Sequence, residues 1–175
     1  VMTEQKNQET VLRVAQRMRQ QSPVDNVHFV IASSGPLENE LKNIASHLDI
    51  SDLVTFTGYL PKREQVYNLL HQSDIFFTPS VYEGFCVAAV EAMGCGLPVV
   101  ASDIDVFREV IGEHGFFVPH DDPNAIATQL IKISSQINSE QIQTRGKKLF
   151  QRAISRYSLT RTATEYHELY QEVST

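Results

Sequence analysis

Two glutamates and a glycine form the pattern with the clearest chemical meaning. Gly84 directly follows Glu83, and Glu91 lies eight residues beyond Glu83 in a stretch of helical character. A glycine permits a tight turn, and the helix after it directs free N–H groups and a positive dipole end toward the turn, which suits a phosphate or diphosphate. Eight helical residues span about 12 Å, so the two carboxylates can accept hydroxyl groups at opposite ends of an extended nucleotide sugar.

Short apolar runs alternate with helical patterns over most of the chain. The runs are rich in Val, Ile and Phe with little polar alternation, which is typical of strands covered on both faces. They are Val27–Ala32, Leu53–Thr57, Ile75–Thr78, Leu97–Ser102 and Phe116–Val118. The alternation predicts right-handed βαβ crossovers, so the predicted fold class is α/β, a Rossmann-like doubly wound parallel sheet with helices on both faces.

The predicted helices between these runs carry apolar residues at helical spacing. They lie near Val11–Met18, Leu37–Leu48, Val66–Leu70 and Phe85–Met93. In the last third, Asp122-Pro123 is a helix cap followed by a first-turn proline. Two more helical patterns follow with no strand between them, over Ser139–Ala153 and Thr160–Val173. We therefore predict a nucleotide-binding domain over residues 1–157 and a C-terminal helix over residues 158–175.

Composition excludes several classes of function. The chain has 15 Lys and Arg against 21 Asp and Glu, a net charge of −6, which disfavours nucleic acid as a partner. No apolar run approaches the roughly 18–20 residues of a membrane span, and the first residues are too polar for a signal peptide. A cytoplasmic location is expected.

The sequence offers little for a metal or a disulfide. Asp103-Ile104-Asp105 could hold a hard cation, but this pattern is common by chance, and the six histidines show no ligand spacing. Cys86 and Cys95 lie nine positions apart on one predicted helix, hence on opposite faces, and neither belongs to a CxxC pair. We expect two free thiols, no metal and no cofactor.

The dipole of the predicted helix bears on Cys86 in particular. If the helix begins near Gly84, the Cys86 thiol lies in its first turn, where the dipole stabilises a thiolate. Cys86 is then expected to alkylate faster than Cys95 and to be protected by a bound nucleoside diphosphate. The alternative is a small buried thiol that fills space.

The segment that contains both glutamates resembles the retaining glycosyltransferases of family 4, which have the two-domain GT-B fold. The matching pattern is Glu, seven residues and Glu, then Ala-Met, a Gly and a Pro before a Val-rich strand. Here it consists of Glu83, Glu91-Ala92-Met93, Gly96 and Pro98. Further matches are Gly35-Pro36-Leu37, Gly58, Pro61 and Gly112–Pro119, so the resemblance covers about residues 6–133.

The resemblance implies the donor-binding domain of an enzyme that transfers a sugar, of hexosyltransferase type, from a nucleoside diphosphate sugar to an acceptor hydroxyl. It gives Lys6 the donor diphosphate and Glu83 the sugar hydroxyls, and these two are the candidate catalytic residues. Glu91 would hold the ribose. The remaining candidate binding residues line the sugar and phosphates or the base, and they are Gly84, Phe85, Cys86, Val87, Gly58 and Tyr59.

The sequence departs from the family pattern at three places. Cys86 stands where the family has Gly, and the run after Asp103 lacks the family's glycine pair, which leaves the donor sugar open. No strand ending in Gly-Arg precedes Lys6 in this sequence, and we expect the family's acceptor-binding N-terminal domain to lie outside it. We therefore expect an excised donor domain, short of a first central strand and inactive without its N-terminal partner domain. The resemblance is compatible with peripheral membrane association of the full-length enzyme.

Two alternatives stay open. A nucleotide-sugar 2-epimerase shares the fold, although the context of Glu83 and Glu91 fits it less well. A non-catalytic module that binds sugar nucleotides is the second alternative. Formation of an epimer without an acceptor would identify the first, and absence of transfer to any acceptor after restoration of the N-terminal half would favour the second.

Overall fold

A computed structural model of the protein describes residues 1–21 and 27–173. A short 3-10 turn, Glu4–Lys6, precedes the first helix. The strands are β1 Phe29–Ile31, β2 Val54–Phe56, β3 Phe76–Thr78, β4 Val99–Ser102 and β5 Phe116–Val118. The helices are α1 Gln8–Gln21, α2 Glu38–His47, α3 Arg63–His71, α4 Val87–Gly94, α5 Asp105–Ile111, α6 Pro123–Ser135, α7 Glu140–Tyr157 and α8 Leu159–Val173.

All described strand pairs are parallel, and helices cover both faces, so the predicted fold class is confirmed. Strand β1 pairs with β2, while β3, β4 and β5 form a second sheet in that order. Within the described residues β1 and β3 do not pair, so the strands fall into two sheets. Apolar patterning predicts that a segment is a buried strand, but it does not predict which strand will be its neighbour.

Strand β4 shows why its sequence has no polar alternation. All four of its residues are buried. Val99 and Ala101 face a core formed with helices α3, α4, α5 and α7, whereas Val100 faces another core formed with α1, α6 and α7. Both faces of the strand therefore exclude water, as the continuous apolar run predicts.

Helix α1 contributes to two cores. Val11, Leu12 and Ala15 pack with β1, β2 and α2, while Val14 and Met18 pack with β4, β5 and α6. Helical periodicity places these two sets on adjacent stripes of one helix. Helix α1 thus packs against both sheets.

Helix α4 is shorter than predicted, and the position of the cysteines needs correction. It begins at Val87, with Cys86 as its N-cap in the left-handed conformation (φ 68°), and it ends before Cys95. The two cysteines therefore lie at opposite ends of the helix and outside it, and both are free thiols. Gly84 does not have a positive φ; within this loop that conformation falls on Cys86.

The C-terminal helices differ in how closely they pack. A Cβ atom on Gly146 of α7 would lie 2.3 Å from the carbonyl oxygen of Gly96, so only glycine permits this approach to the loop after α4. Helix α8, by contrast, contains no buried residue. In the described part of the chain, no helix is both long and apolar enough to cross a membrane.

Candidate functional site

An ion pair joins the two candidate catalytic residues. The Nζ atom of Lys6 lies 2.5 Å from Oε1 of Glu83, although the residues are 77 positions apart in the sequence. The Glu83 side chain is only 6% exposed, whereas that of Lys6 is 34% exposed, so solvent reaches the pair from the lysine side. Glu83 lies in the loop that follows β3, and Lys6 reaches it from the turn before α1. The pair is thus at the carboxyl edge of the parallel sheet, where ligands bind in such folds.

The turn that carries Lys6 is fastened directly to the loop that carries Glu83. The backbone N–H of Val81 donates to the carbonyl of Gln5 at 2.9 Å. The side-chain amide of Gln5 donates in return to the carbonyl of Tyr82 at 2.8 Å. These two hydrogen bonds hold the backbones on either side of the ion pair in register.

Asn7 is a further structural residue of the site that sequence reasoning missed. It has a left-handed backbone (φ 52°), and its side-chain N–H groups donate to the carbonyls of Pro79 at 3.2 Å and His120 at 2.9 Å. Its side-chain oxygen accepts from the hydroxyl of Thr10. Asn7 therefore ties the loops after β3 and β5 to the start of α1. The available signal was an asparagine directly after a candidate lysine, because Asn tolerates this conformation.

Two hydroxyl groups behind Glu83 were also not predicted. Ser80 Oγ donates to Glu83 Oε1 at 2.9 Å, and it lies 3.1 Å from Thr78 Oγ1. All three residues are buried. The sequence signal was a pair of polar residues at the end of an otherwise apolar strand, where a hydroxyl must find a buried partner.

The loop from Gly84 to Val87 leads from the ion pair into α4. The space around Gly84 is open, since a Cβ atom there would have no neighbour within 4 Å. The ring of Phe85 packs edge-on against Tyr157 at 5.3 Å between centroids, so this side chain anchors the loop to the end of α7. Val87 is exposed at the first turn of α4, where backbone N–H groups lack partners in the helix.

The thiol of Cys86 does not have the character that we expected. Burial raises the pKa of Cys86 to about 11, and the negative charge of Glu83 acts in the same direction. Burial also raises the pKa of Cys95. The prediction of a stabilised thiolate at Cys86 was wrong, because the residue precedes the helix and its side chain is withdrawn from solvent beside a carboxylate.

The second glutamate contacts the helix that follows the candidate base loop. The Glu91 side chain is 21% exposed and lies 3.8 Å from the guanidinium of Arg63, the first residue of α3. Gly58 (φ 69°) and the exposed Tyr59 belong to the β2–α3 loop that leads to Arg63. The structure thus brings Lys6, Glu83 and Cys86 together and connects Glu91 to the end of the base loop through Arg63.

Both carboxylate oxygens of Asp103 are engaged by a single guanidinium group. They accept from Nε and Nη2 of Arg108 at 2.5 and 2.8 Å, and these hydrogen bonds lower the pKa of Asp103. The guanidinium of Arg108 also lies over the ring of Phe117. Among residues 1–21 and 27–173, no cluster of three or more His, Cys, Asp or Glu is placed to hold a metal.

Comparisons with known proteins give a consistent picture. Residues 1–149 match the family described as "Glycosyl transferases group 1". The amylovoran biosynthesis glycosyltransferase AmsK of Erwinia amylovora is 33% identical over 142 residues, which are 76% of this chain and 34% of AmsK. The chain therefore spans about a third of the length of this relative.

Solved structures share the fold at lower identity. Sucrose-phosphate synthase from Thermosynechococcus elongatus has a TM-score of 0.85 at 23% identity, over 98% of this chain and 43% of that one. Alr3699/HepE of Anabaena, in complex with UDP-glucose, has a TM-score of 0.84 at 20% identity, over 98% of this chain and 46% of that one. The fold and the family match together confirm the resemblance to a GT-B glycosyltransferase. The chain belongs to the glycosyl transferases group 1 family.

Proposed function

We propose that this chain is the donor-binding part of a retaining glycosyltransferase, which transfers a sugar from a nucleoside diphosphate sugar to an acceptor hydroxyl. The observation that carries the proposal is the Lys6–Glu83 ion pair at the carboxyl edge of the sheet, next to the first turn of α4. A cation and unpaired helix N–H groups at one position suit a diphosphate. A buried carboxylate beside them suits the hydroxyls of the attached sugar.

Each group has a distinct role in the proposed reaction. The bond that breaks joins the sugar to the diphosphate, and negative charge accumulates on the departing phosphate oxygen. Lys6 and the N–H groups at the start of α4 stabilise that charge without reorganisation, because the protein holds them in place beforehand. Glu83 orients the sugar through its hydroxyls, which keeps the reacting carbon positioned for the acceptor.

Glu83 suits a binding role better than a nucleophilic one. Its Oε1 atom already accepts from Lys6 and from Ser80. Two donors on a carboxylate reduce its nucleophilicity, and they leave its second oxygen for a hydroxyl group. This supports front-face attack by the acceptor without a covalent intermediate, which is what the family resemblance implies.

The proposed partner is the remainder of a longer enzyme. The chain spans 34% of the AmsK relative. The loops that carry the candidate site residues expose large side chains: Tyr59 is 73% and Tyr82 is 67% exposed. We propose that an N-terminal acceptor-binding domain faces this surface, so the chain alone binds donor but transfers no sugar.

Nucleotide binding tests the proposal directly. Thermal unfolding with UDP, GDP, ADP and their sugars is expected to show stabilisation by one base. At a ligand concentration of 100 Kd the gain is about 2.7 kcal/mol, or about 5–10 °C for a chain of this size. Because the phosphate is neutralised by Lys6 and helix N–H groups, EDTA is expected to leave binding unchanged. Stabilisation by none of these ligands would contradict the proposal, as would release of an epimerised sugar nucleotide without an acceptor.

A variant of Glu91 tests the ribose end. Glu91→Ala removes a carboxylate that is 21% exposed, and it is expected to weaken nucleotide binding by about 1–3 kcal/mol, the cost of a lost charge-assisted hydrogen bond. Glu113→Ala is the matched control, because Glu113 is 88% exposed on the loop after α5. Equal titration calorimetry for the two variants would remove Glu91 from the binding site.

A further inference from the structure

We propose that Ser80, oriented by Thr78, is a positioning residue that fixes the carboxylate of Glu83 and determines which of its oxygens meets the substrate. The inference rests on the proposed function and deepens it, because it concerns how the sugar end of the donor is recognised. Three buried residues carry it, and they are Thr78, Ser80 and Glu83.

The direction of each hydrogen bond in this chain is determined by chemistry. A carboxylate paired with an ammonium group only accepts, so the single hydroxyl proton of Ser80 points to Glu83 Oε1. Ser80 Oγ must then act as the acceptor toward Thr78, and the Thr78 hydroxyl donates across the 3.1 Å between them. The order is therefore Thr78 to Ser80 to Glu83, with one proton in each step.

Burial makes this order persistent. Ser80 is 1% exposed, so water has no access to replace its hydroxyl. Hydrogen bonds strengthen in such surroundings, and a donor that is lost there leaves a carboxylate oxygen unsatisfied. Thr78 is the last residue of β3, where it pairs with Ala101 of the fully buried strand β4. The chain of hydroxyls thus starts from a rigid strand.

The two donors to Glu83 lie in different surroundings and act on the same oxygen. Lys6 and Ser80 both donate to Oε1, while the described residues give Oε2 no N–H or O–H donor. The Cys86 thiol also hydrogen-bonds this carboxylate, but a thiol is a weak donor that a sugar hydroxyl can displace. The Lys6 side chain is 34% exposed, so a diphosphate can compete for it. Ser80 is enclosed and keeps its bond when Lys6 is shared. Oε1 therefore stays engaged, and Oε2 is the oxygen available to a sugar hydroxyl.

The role of Ser80 appears in the discrimination between a nucleoside diphosphate and its sugar conjugate. UDP with UDP-glucose, and GDP with GDP-mannose, are the probes for titration calorimetry on the full chain. The ratio that matters is the Kd of the nucleoside diphosphate divided by the Kd of its sugar conjugate. Ser80→Ala is expected to lower this ratio by about tenfold, the effect of one hydrogen bond to a charged group. Affinity for the nucleoside diphosphate alone is expected to stay within about twofold, because Ser80 is only 1% exposed and presents no surface to a ligand.

Three further variants separate positioning from folding. Thr78→Val keeps the shape of the side chain and is expected to lower the ratio by about threefold. In the Ser80→Ala background the same substitution should lower the ratio no further, because Thr78 acts only through Ser80. Ser80→Thr retains a hydroxyl and is expected to restore the ratio. Ser102→Ala is the matched control, since this serine is fully buried at the end of neighbouring strand β4 and its hydroxyl has no partner among the described residues.

Each outcome decides the inference. An unchanged ratio in a folded Ser80→Ala variant overturns it, and so do equal losses of affinity for both ligands, which would indicate a purely structural role. If Ser80→Ala does not fold, an unchanged ratio in Thr78→Val overturns it instead. If the unaltered chain binds neither member of any pair, the proposed function itself fails. If it binds both members equally, only the inference fails.

Discussion

Replacement of Cys86 measures the conformational cost of the turn that leads into α4. Cys86 adopts a left-handed backbone (φ 68°, ψ 75°) that favours glycine, and it occupies the position at which the resembling family carries Gly. Cys86→Gly and Cys86→Ala both remove the thiol, which packs against the core around α4, and they differ from each other only in the Cβ atom. Their difference in stability therefore reports the cost of a Cβ atom in this backbone conformation.

The expected magnitude follows from two opposing effects. A residue with a Cβ atom in this conformation costs roughly 1–2 kcal/mol relative to glycine. Glycine loses about 0.4–1 kcal/mol more conformational entropy on folding than alanine. Cys86→Gly should therefore be more stable than Cys86→Ala by about 1 kcal/mol, or about 2–4 °C in Tm for a chain of this length.

Urea unfolding followed by circular dichroism gives both free energies of unfolding. The control is a glycine at which an added Cβ atom should not reduce stability. Gly94, at the end of α4, has no positive φ and has open space where a Cβ atom would lie. Gly94→Ala should thus be as stable as the parent or more stable. If Cys86→Ala equals or exceeds Cys86→Gly in stability, Cys86 does not hold the left-handed conformation and the argument fails.

Three further predictions concern the packing of α7, the contribution of α8 and the titration of Cys86. Gly146→Ala should destabilise the protein by about 1–3 kcal/mol in urea unfolding, because the new Cβ atom would meet the carbonyl of Gly96 at 2.3 Å; unchanged stability would contradict this packing. A chain that ends at Ser158 should keep its Tm within about 2 °C, since α8 buries no residue, and a larger loss would move the domain boundary. The Cys86 pKa of about 11 exceeds its ordinary value of 9.0, so the unfolded chain releases this proton first and stability should fall as pH rises from 9 to 11. Iodoacetamide labelling of Cys86 should accelerate over the same interval, and a plateau near pH 9 would exclude the raised pKa.

Local patterns predicted the elements that depend on local physics. The five apolar runs correspond to the five strands, and Asp122 caps α6 by accepting from the N–H groups of Asn124 and Ala125. Helix α5 was not predicted, because it has only 7 residues and its N-cap, Ile104, offers no side-chain hydrogen bond. The left-handed conformation of Cys86 was missed for a different reason. A cysteine itself carries no signal for it, and the available signal was the glycine that the family has at this position.

Long-range pairing set the limit for the site. The family resemblance assigned separate ligands to Lys6 and Glu83, the diphosphate and the sugar. It could not show that they form an ion pair across 77 positions, because that pairing depends on how the turn after Thr3 docks on the loop after β3. The contributions of Asn7 and Ser80 were missed for the same reason, as their partners are loops brought together only by the fold.

The position of α1 between two sheets has a consequence for how the molecule opens. Because α1 packs against both groups of strands, neither sheet can separate without exposing one of its two apolar stripes. Backbone amides in α1 are therefore expected to exchange with deuterium only through unfolding of most of the chain, whereas those of α8 exchange by local fraying. Lys6 and Asn7 directly precede α1, so the charged side of the candidate site is joined directly to the helix that is expected to exchange last.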